Sequence, residues 1–299
     1  MKIYNINTLT DFNQKNLCLT IGNFDGIHKG HKLVIDQVIK ISAENNLQPA
    51  ILTFNPHPKK FFDNSLDKLN ILTKNKKLSI LKEMGISIYL DFIFDLKLSS
   101  LTAEEFVEQI LVKKLDTKLI VIGEDFRFGK QRSGDMHSLK NLSERYGFKV
   151  KVIQPLKINN SDEKYSSSKI RKQIEKGLFE EVSIALGRQW EISGIVIKGD
   201  QRARKINFPT ANIIPSDSIL PKKGVYCVNV TIESMRYLGI SNFGERPTVD
   251  GKKLLLETHI FNFNDDIYGK ELTVEFLTFI RPEQKFDNFE KLTKQIKQD

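Results

Sequence analysis

Apolar and polar positions change rhythm once along this chain, shortly after residue 185. Up to about Val152, short apolar runs at 17–21, 50–54, 86–92, 119–122 and 148–153 alternate with stretches of helical period. The runs predict strands and the stretches between them predict helices. Thr102-Ala103-Glu104-Glu105 has the spacing of a capping box ahead of Phe106, Val107, Ile110 and Leu111, and Gly85 and Gly147 stand where helix ends want a left-handed residue. Strands and helices in alternation predict a parallel sheet covered on both faces. Beyond Gly187 the period drops to two, in runs rich in Val, Ile, Thr and Tyr at 192–197, 225–232, 254–261 and 272–279. Strands so closely spaced predict a small antiparallel barrel or sandwich, finished by a helix at 286–297.

Composition narrows the class without naming a function. A length of 299 residues exceeds what one core usually fills, and 40% hydrophobic residues supply material for two. The net charge of +9 raises nucleic-acid binding, but the lysines are scattered, so no nucleic-acid partner is expected. Cys18 and Cys227 lie in apolar runs of different halves, which excludes a disulfide framework and a CxxC metal site. With no apolar signal core in the first residues and no run of membrane-spanning length, a cytoplasmic protein without a membrane partner is expected.

The segment Gly22-Asn23-Phe24-Asp25-Gly26-Ile27-His28-Lys29-Gly30-His31 follows a predicted strand and opens a predicted helix. That is where an α/β sheet binds anions. Gly22, Gly26 and Gly30 let backbone approach a phosphate, and His28 and His31, three apart, can point the same way. Imidazoles so placed can stabilise charge on a phosphate under attack. A metal pair is the competing use, but only His57, His137 and His259 remain, with no cysteine cluster to complete a site.

Three further segments sharpen this reading, the last of them expected on the far side of the sheet. Thr53-Phe54-Asn55-Pro56-His57-Pro58 stiffens a post-strand loop and aims His57. Gly123-Glu124-Asp125-Phe126-Arg127-Phe128-Gly129 offers acceptors, a cation and aromatic faces. Ser166-Ser167-Ser168-Lys169-Ile170-Arg171 opens a helix with hydroxyls and two cations, a second phosphate cradle, although for the serines alone an N-cap is the simpler use. In the C-terminal half, Pro209 holds Phe208 extended, and Thr210 and Asn212, two apart, share one face of a strand. Their oxygens can meet one hard cation, or simply face solvent.

His28-Lys29-Gly30-His31 resembles the HxGH signature of nucleotidyltransferases. In order, the four segments resemble the adenylyltransferase half of the prokaryotic bifunctional riboflavin kinase/FAD synthetase family, with Tyr165 and Ser168 replacing the usual Ile and Thr. The second half resembles the flavokinase module through Phe208-Pro209-Thr210-Ala211-Asn212, Pro221-Lys222-Lys223-Gly224-Val225-Tyr226, Asn242-Phe243-Gly244-Glu245-Arg246-Pro247-Thr248, Leu256-Glu257-Thr258-His259 and Tyr268-Gly269-Lys270. Ala203 and Asn207 stand at positions that are usually glycine.

The resemblance implies a Rossmann-like, doubly wound nucleotidyltransferase domain at 1–185 and an antiparallel flavokinase β-barrel with a terminal helix at 186–299. It implies phosphorylation of riboflavin by ATP to FMN, then adenylylation of FMN to FAD with release of pyrophosphate, both with Mg2+. Catalysis falls to Glu257 as the kinase base and to His28, His31 and Arg171 in the transferase. Gly22, Phe24, Asp25, Gly30, Ser167, Ser168, Arg171 and Gly199 are implied for nucleotide, and Asn23, His57, Phe62, Asp125 and Phe128 for flavin. Thr210 and Asn212 are implied for the metal. Small molecules are the expected partners, and assembly into a homo-oligomer is left open.

Overall fold

The computed structural model describes residues 1–5, 12–63, 65–66, 68–158, 163–198, 208–215, 218–248 and 251–299. Two compact units divide the chain, one of Met1–Asp67 with Lys74–Ser166, the other of Lys68–Thr73 with Ser167–Asp299.

The first unit holds strands β1 (Lys2–Asn5), β2 (Leu17–Ile21), β3 (Gln48–Asn55), β4 (Ile88–Ile93), β5 (Thr117–Gly123) and β6 (Lys149–Ile153). They form one sheet in the order β1-β4-β3-β2-β5-β6, parallel throughout. Its helices are α1 (Lys29–Asn45), α2 (Pro58–Phe62), α3 (Lys74–Met84), α4 (Leu96–Ser100), α5 (Ala103–Glu105) and α6 (Met136–Tyr146). Every residue of β2 is buried, as a strand covered on both faces requires. The capping box at Thr102 and Glu105 forms as expected. Past it the helix widens into a π-wound turn, Phe106–Lys114, in which Leu115 N–H reaches Ile110 O. From β2 the sheet grows towards β3 on one side and β5 on the other. This reversal leaves a crevice at the carboxyl ends of β2 and β5, the place where open α/β sheets bind ligands.

The second unit holds helices α7 (Ser167–Lys176) and α8 (Phe179–Leu186), then β7 (Trp190–Ile195), β8 (Ala211–Ile213), β9 (Gly224–Ile232), β10 (Met235–Thr248), β11 (Gly251–Ile260) and β12 (Glu271–Arg281), ending in α9 (Phe289–Gln298). The sheet order is β7-β12-β9-β10-β11-β8, antiparallel throughout. Among the described residues a bridge, with Ile197 N–H donating to Asn212 O at 2.8 Å, links the two edges and curls the sheet towards a barrel. Phe179, Trp190, Tyr226 and Phe276 pack ring against ring at 5.0–5.5 Å in its core. The segment Lys68–Thr73 docks into this unit: Trp190 Nε1 donates to Ile71 O at 2.9 Å, and Ile71 is fully buried.

Two strands escaped the sequence pattern. The exposed edge strand β1 has no buried face to mark it. The 14-residue β10 carries Gly239, Asn242, Gly244 and Pro247, which read as turn signals. Pairing with β9 on one side and β11 on the other overrides them.

Candidate active sites

In the first unit the loop from Gly22 to His28 leaves β2 through a tight course. Phe24 and Ile27 have positive φ (47° and 42°), strain that their burial holds in place. His28 caps α1, its Nδ1 accepting from His31 N–H at 3.2 Å. A neutral imidazole that accepts at Nδ1 carries its proton on Nε2, so Nε2 is a donor. The two imidazoles stack with centroids 3.6 Å apart, and Phe24 meets His31 edge-on at 5.2 Å. A Cβ at Gly30 would crowd the His28 ring at 3.3 Å, which gives that glycine a steric reason.

Beneath this loop lies a charged cluster that no motif announced. Lys77 Nζ donates to Asn23 O at 3.0 Å, and Lys74 Nζ pairs with Asp91 at 2.5 Å. Burial pushes the Lys77 ammonium down, opposed by the nearby Asp25 and Asp91 carboxylates. Asp25 and Asp91 are themselves buried. Lys77 thus ties α3 to the loop that carries the histidines. Asn23 Oδ1, also buried, has no hydrogen-bond partner among the described residues.

The other expected residues of the first unit are placed unevenly. His57 caps α2, its Nδ1 accepting from Lys59 N–H at 3.1 Å. Phe62 is 71% exposed beside Phe61 and Phe94. Phe128, by contrast, is only 7% exposed, stacked on Phe126 at 5.4 Å and packed near Phe106 within the core. One of its faces lies against Phe126, and the ring is buried. Asp125 is exposed and paired with Lys164 at 2.5 Å. Gly129, at the end of that segment, has φ +72°, and a Cβ there would meet the backbone of Ala103 at 2.7 Å. Gly129→Ala should therefore cost about 1–3 kcal/mol, read as a lowered urea midpoint with an unchanged slope.

Ser167 and Ser168 open α7 in the second unit. Arg171, further along α7, is buried and donates from Nε to Leu69 O at 2.8 Å, across 102 residues of chain. Gly199, with Ala203 and Asn207, lies outside the described residues.

Elsewhere in the second unit, strand register sets Asn212, Glu257 and Asn242 side by side on β8, β11 and β10. Thr210 and Asn212 share the wall of a cavity of about 440 Å³ with Val196, Thr258, Asp266 and Tyr268. Asn212 is 5% exposed, and its Oδ1 has no hydrogen-bond partner among the described residues. An orphaned buried acceptor beside a threonine hydroxyl suits a hard cation. Glu257 adjoins this cavity in register without lining it. Its Oε2 accepts from Arg246 Nε at 2.8 Å and also from Arg246 Nη2. Behind it, Ser241 and Thr258 share a buried hydroxyl pair at 2.8 Å.

Known proteins bear directly on these two constellations. A family model described as FAD synthetase matches residues 11–169, and one described as riboflavin kinase matches 186–299. A bifunctional riboflavin kinase/FMN adenylyltransferase of Buchnera aphidicola subsp. Schizaphis graminum is 38% identical over 95% of this chain and 92% of its own length.

The chain belongs to the bifunctional riboflavin kinase/FMN adenylyltransferase family.

The relative of that name from Escherichia coli K12 is 34% identical, covering 99% of this chain and 95% of its own. A crystal structure from Streptococcus pneumoniae, described as a macrolide-efflux protein, is 32% identical with a TM-score of 0.87, covering 99% and 97% of the two chains. Among the described residues of this family member, no helix is long and apolar enough to cross a membrane. Among its described residues, no group of three or more His, Cys, Asp or Glu is placed to hold a metal. Arg246 lies in the Asn242–Thr248 motif, which by itself gives it no role; Lys74, Lys77, Asp91 and Glu283 carry no sequence signal.

Proposed function

We propose that this chain converts riboflavin and ATP to FMN in its C-terminal half, 186–299, and FMN and ATP to FAD in its N-terminal half, 1–185. The observation that carries the proposal is the pair of unlike constellations: stacked imidazoles at a sheet switch point, and a carboxylate next to an orphaned Asn212 oxygen. The first suits attack by an anion, the second attack by an alcohol.

In the transferase, an oxygen of the FMN phosphate attacks the α-phosphorus of ATP, and the bond to pyrophosphate breaks. The nucleophile is already ionised, so no base is needed; two anions must instead be held together. His28 donates through Nε2 to the phosphate oxygens, with His31 stacked on it. Gly22, Phe24, Asp25 and Gly30 shape the nucleotide loop, and Asn23, His57, Phe62 and Asp125 lie on the flavin side. Ser167, Ser168 and Arg171 are assigned to nucleotide by the family motif alone.

In the kinase, the primary hydroxyl of riboflavin loses its proton to Glu257 and its oxygen attacks the γ-phosphorus, with ADP leaving. Thr210 and Asn212 would hold Mg2+, which supplies charge neutralisation across the triphosphate. ATP then occupies the cavity that those two residues line, and riboflavin lies on the Glu257 side. A cytoplasmic location, where ATP is at hand, follows from this chemistry.

Purified protein incubated with riboflavin, ATP and magnesium chloride, with flavins separated by chromatography, tests the proposal. FMN should appear first and FAD after it; neither product would end the reading.

A further inference from the structure

Glu283 lies outside every strand, yet its carboxylate is held closely in the second unit. Its Oε1 accepts from Arg246 Nη1 at 3.1 Å and from Asn242 Nδ2 at 3.2 Å. Arg246 is the same residue whose Nε and Nη2 converge on Glu257 Oε2. Asn242, Gly244 and Arg246 are spaced two apart on β10 and so face the same side of the sheet. The carboxylate rests on the gap between them: a Cβ added at Gly244 would come within 2.0–2.5 Å of its atoms. Gly244 has no positive φ that would demand glycine there. Room for Glu283 is the steric reason the structure offers for it.

We propose that Glu283 is a positioning residue of riboflavin phosphorylation, fixing Arg246 so that Glu257 presents its other oxygen, Oε1, to the riboflavin hydroxyl. The inference rests on the kinase reading of the second unit. A carboxylate side chain has rotameric freedom about its own axis, and a guanidinium anchored at one end removes it at the other. Both Arg246 donors on one oxygen leave the second oxygen for the substrate proton. Arg246 Nη1 also donates to the backbone carbonyl of Glu245 at 3.0 Å, and Glu283, itself held by Asn242, adds the charged side-chain anchor at that end. Glu283 also shares the positive charge that would otherwise fall on Glu257 alone.

Two variants act on this geometry by different means. Glu283→Gln keeps size and an acceptor oxygen but removes the charge. Gly244→Ala leaves every charge in place and evicts the carboxylate by its new methyl group, against the mobile end of a side chain. Each should lower kcat for riboflavin phosphorylation about tenfold, a part of what a general base contributes, while KM for ATP changes by less than about twofold. FAD formation from supplied FMN should proceed at the wild-type rate in both.

Wild-type protein that makes no FMN defeats the kinase reading itself. Wild-type turnover with unchanged kcat in either variant overturns the role of Glu283 and leaves that reading standing. Loss of both activities together, or a lowered urea midpoint matching the loss in kcat, also overturns it, since Glu283 would then be structural only.

Discussion

Glu257→Gln should abolish riboflavin phosphorylation, by about 10²–10⁴-fold in kcat, and leave adenylylation of supplied FMN at the wild-type rate. The amide keeps the length and volume of the side chain but cannot take up the hydroxyl proton. Arg246 would lose an ionic partner on one side, yet Glu283 retains it on the other. The buried Ser241–Thr258 pair behind the strand is untouched, so the sheet should keep its register. Separate assays of the two half-reactions on one preparation make the outcome sharp. Parallel loss of FMN and FAD formation would point to misfolding and would remove Glu257 from the mechanism.

The second large effect is expected at His28. Removing a preorganised donor to developing phosphate charge costs about 10²–10³ in rate, so His28→Ala should reduce FAD formation from FMN by that factor while kinase turnover continues. Alanine also deletes the cap of α1, worth about 1 kcal/mol. His28→Asn separates these contributions, because asparagine is a good N-cap and a poor substitute for imidazole at the phosphate. The asparagine variant should therefore regain the urea midpoint and not the activity. Recovery of both would reduce His28 to a capping residue.

Much of each site was legible because its residues are close in sequence and sit where strands end. Gly22 to His31 is one uninterrupted passage from β2 into α1, and Thr210 and Asn212 lie two residues apart where β8 begins. Residues that act on those turns from a distance left no such mark. Lys77 reaches Asn23 across 54 residues, and Arg246 reaches Glu283 across 37. Phe128 is a different case: an aromatic in a loop motif serves core or ligand equally well on sequence alone, and here Phe106 and Phe126 pack against it.

By itself the sequence determined the alternation of buried strands with helices, the change to period two after Gly187, the capping box at Thr102 and the family to which both halves belong. These depend on neighbours within a turn or a strand, where propensity, capping and burial act locally. Only the tertiary structure decided that Lys68–Thr73 joins the second unit, that β10 runs through its glycines, and that Asn212, Glu257 and Asn242 fall in one row. Register and long-range ion pairing are settled by which surfaces meet on folding, and a linear pattern of residues carries no local record of that meeting.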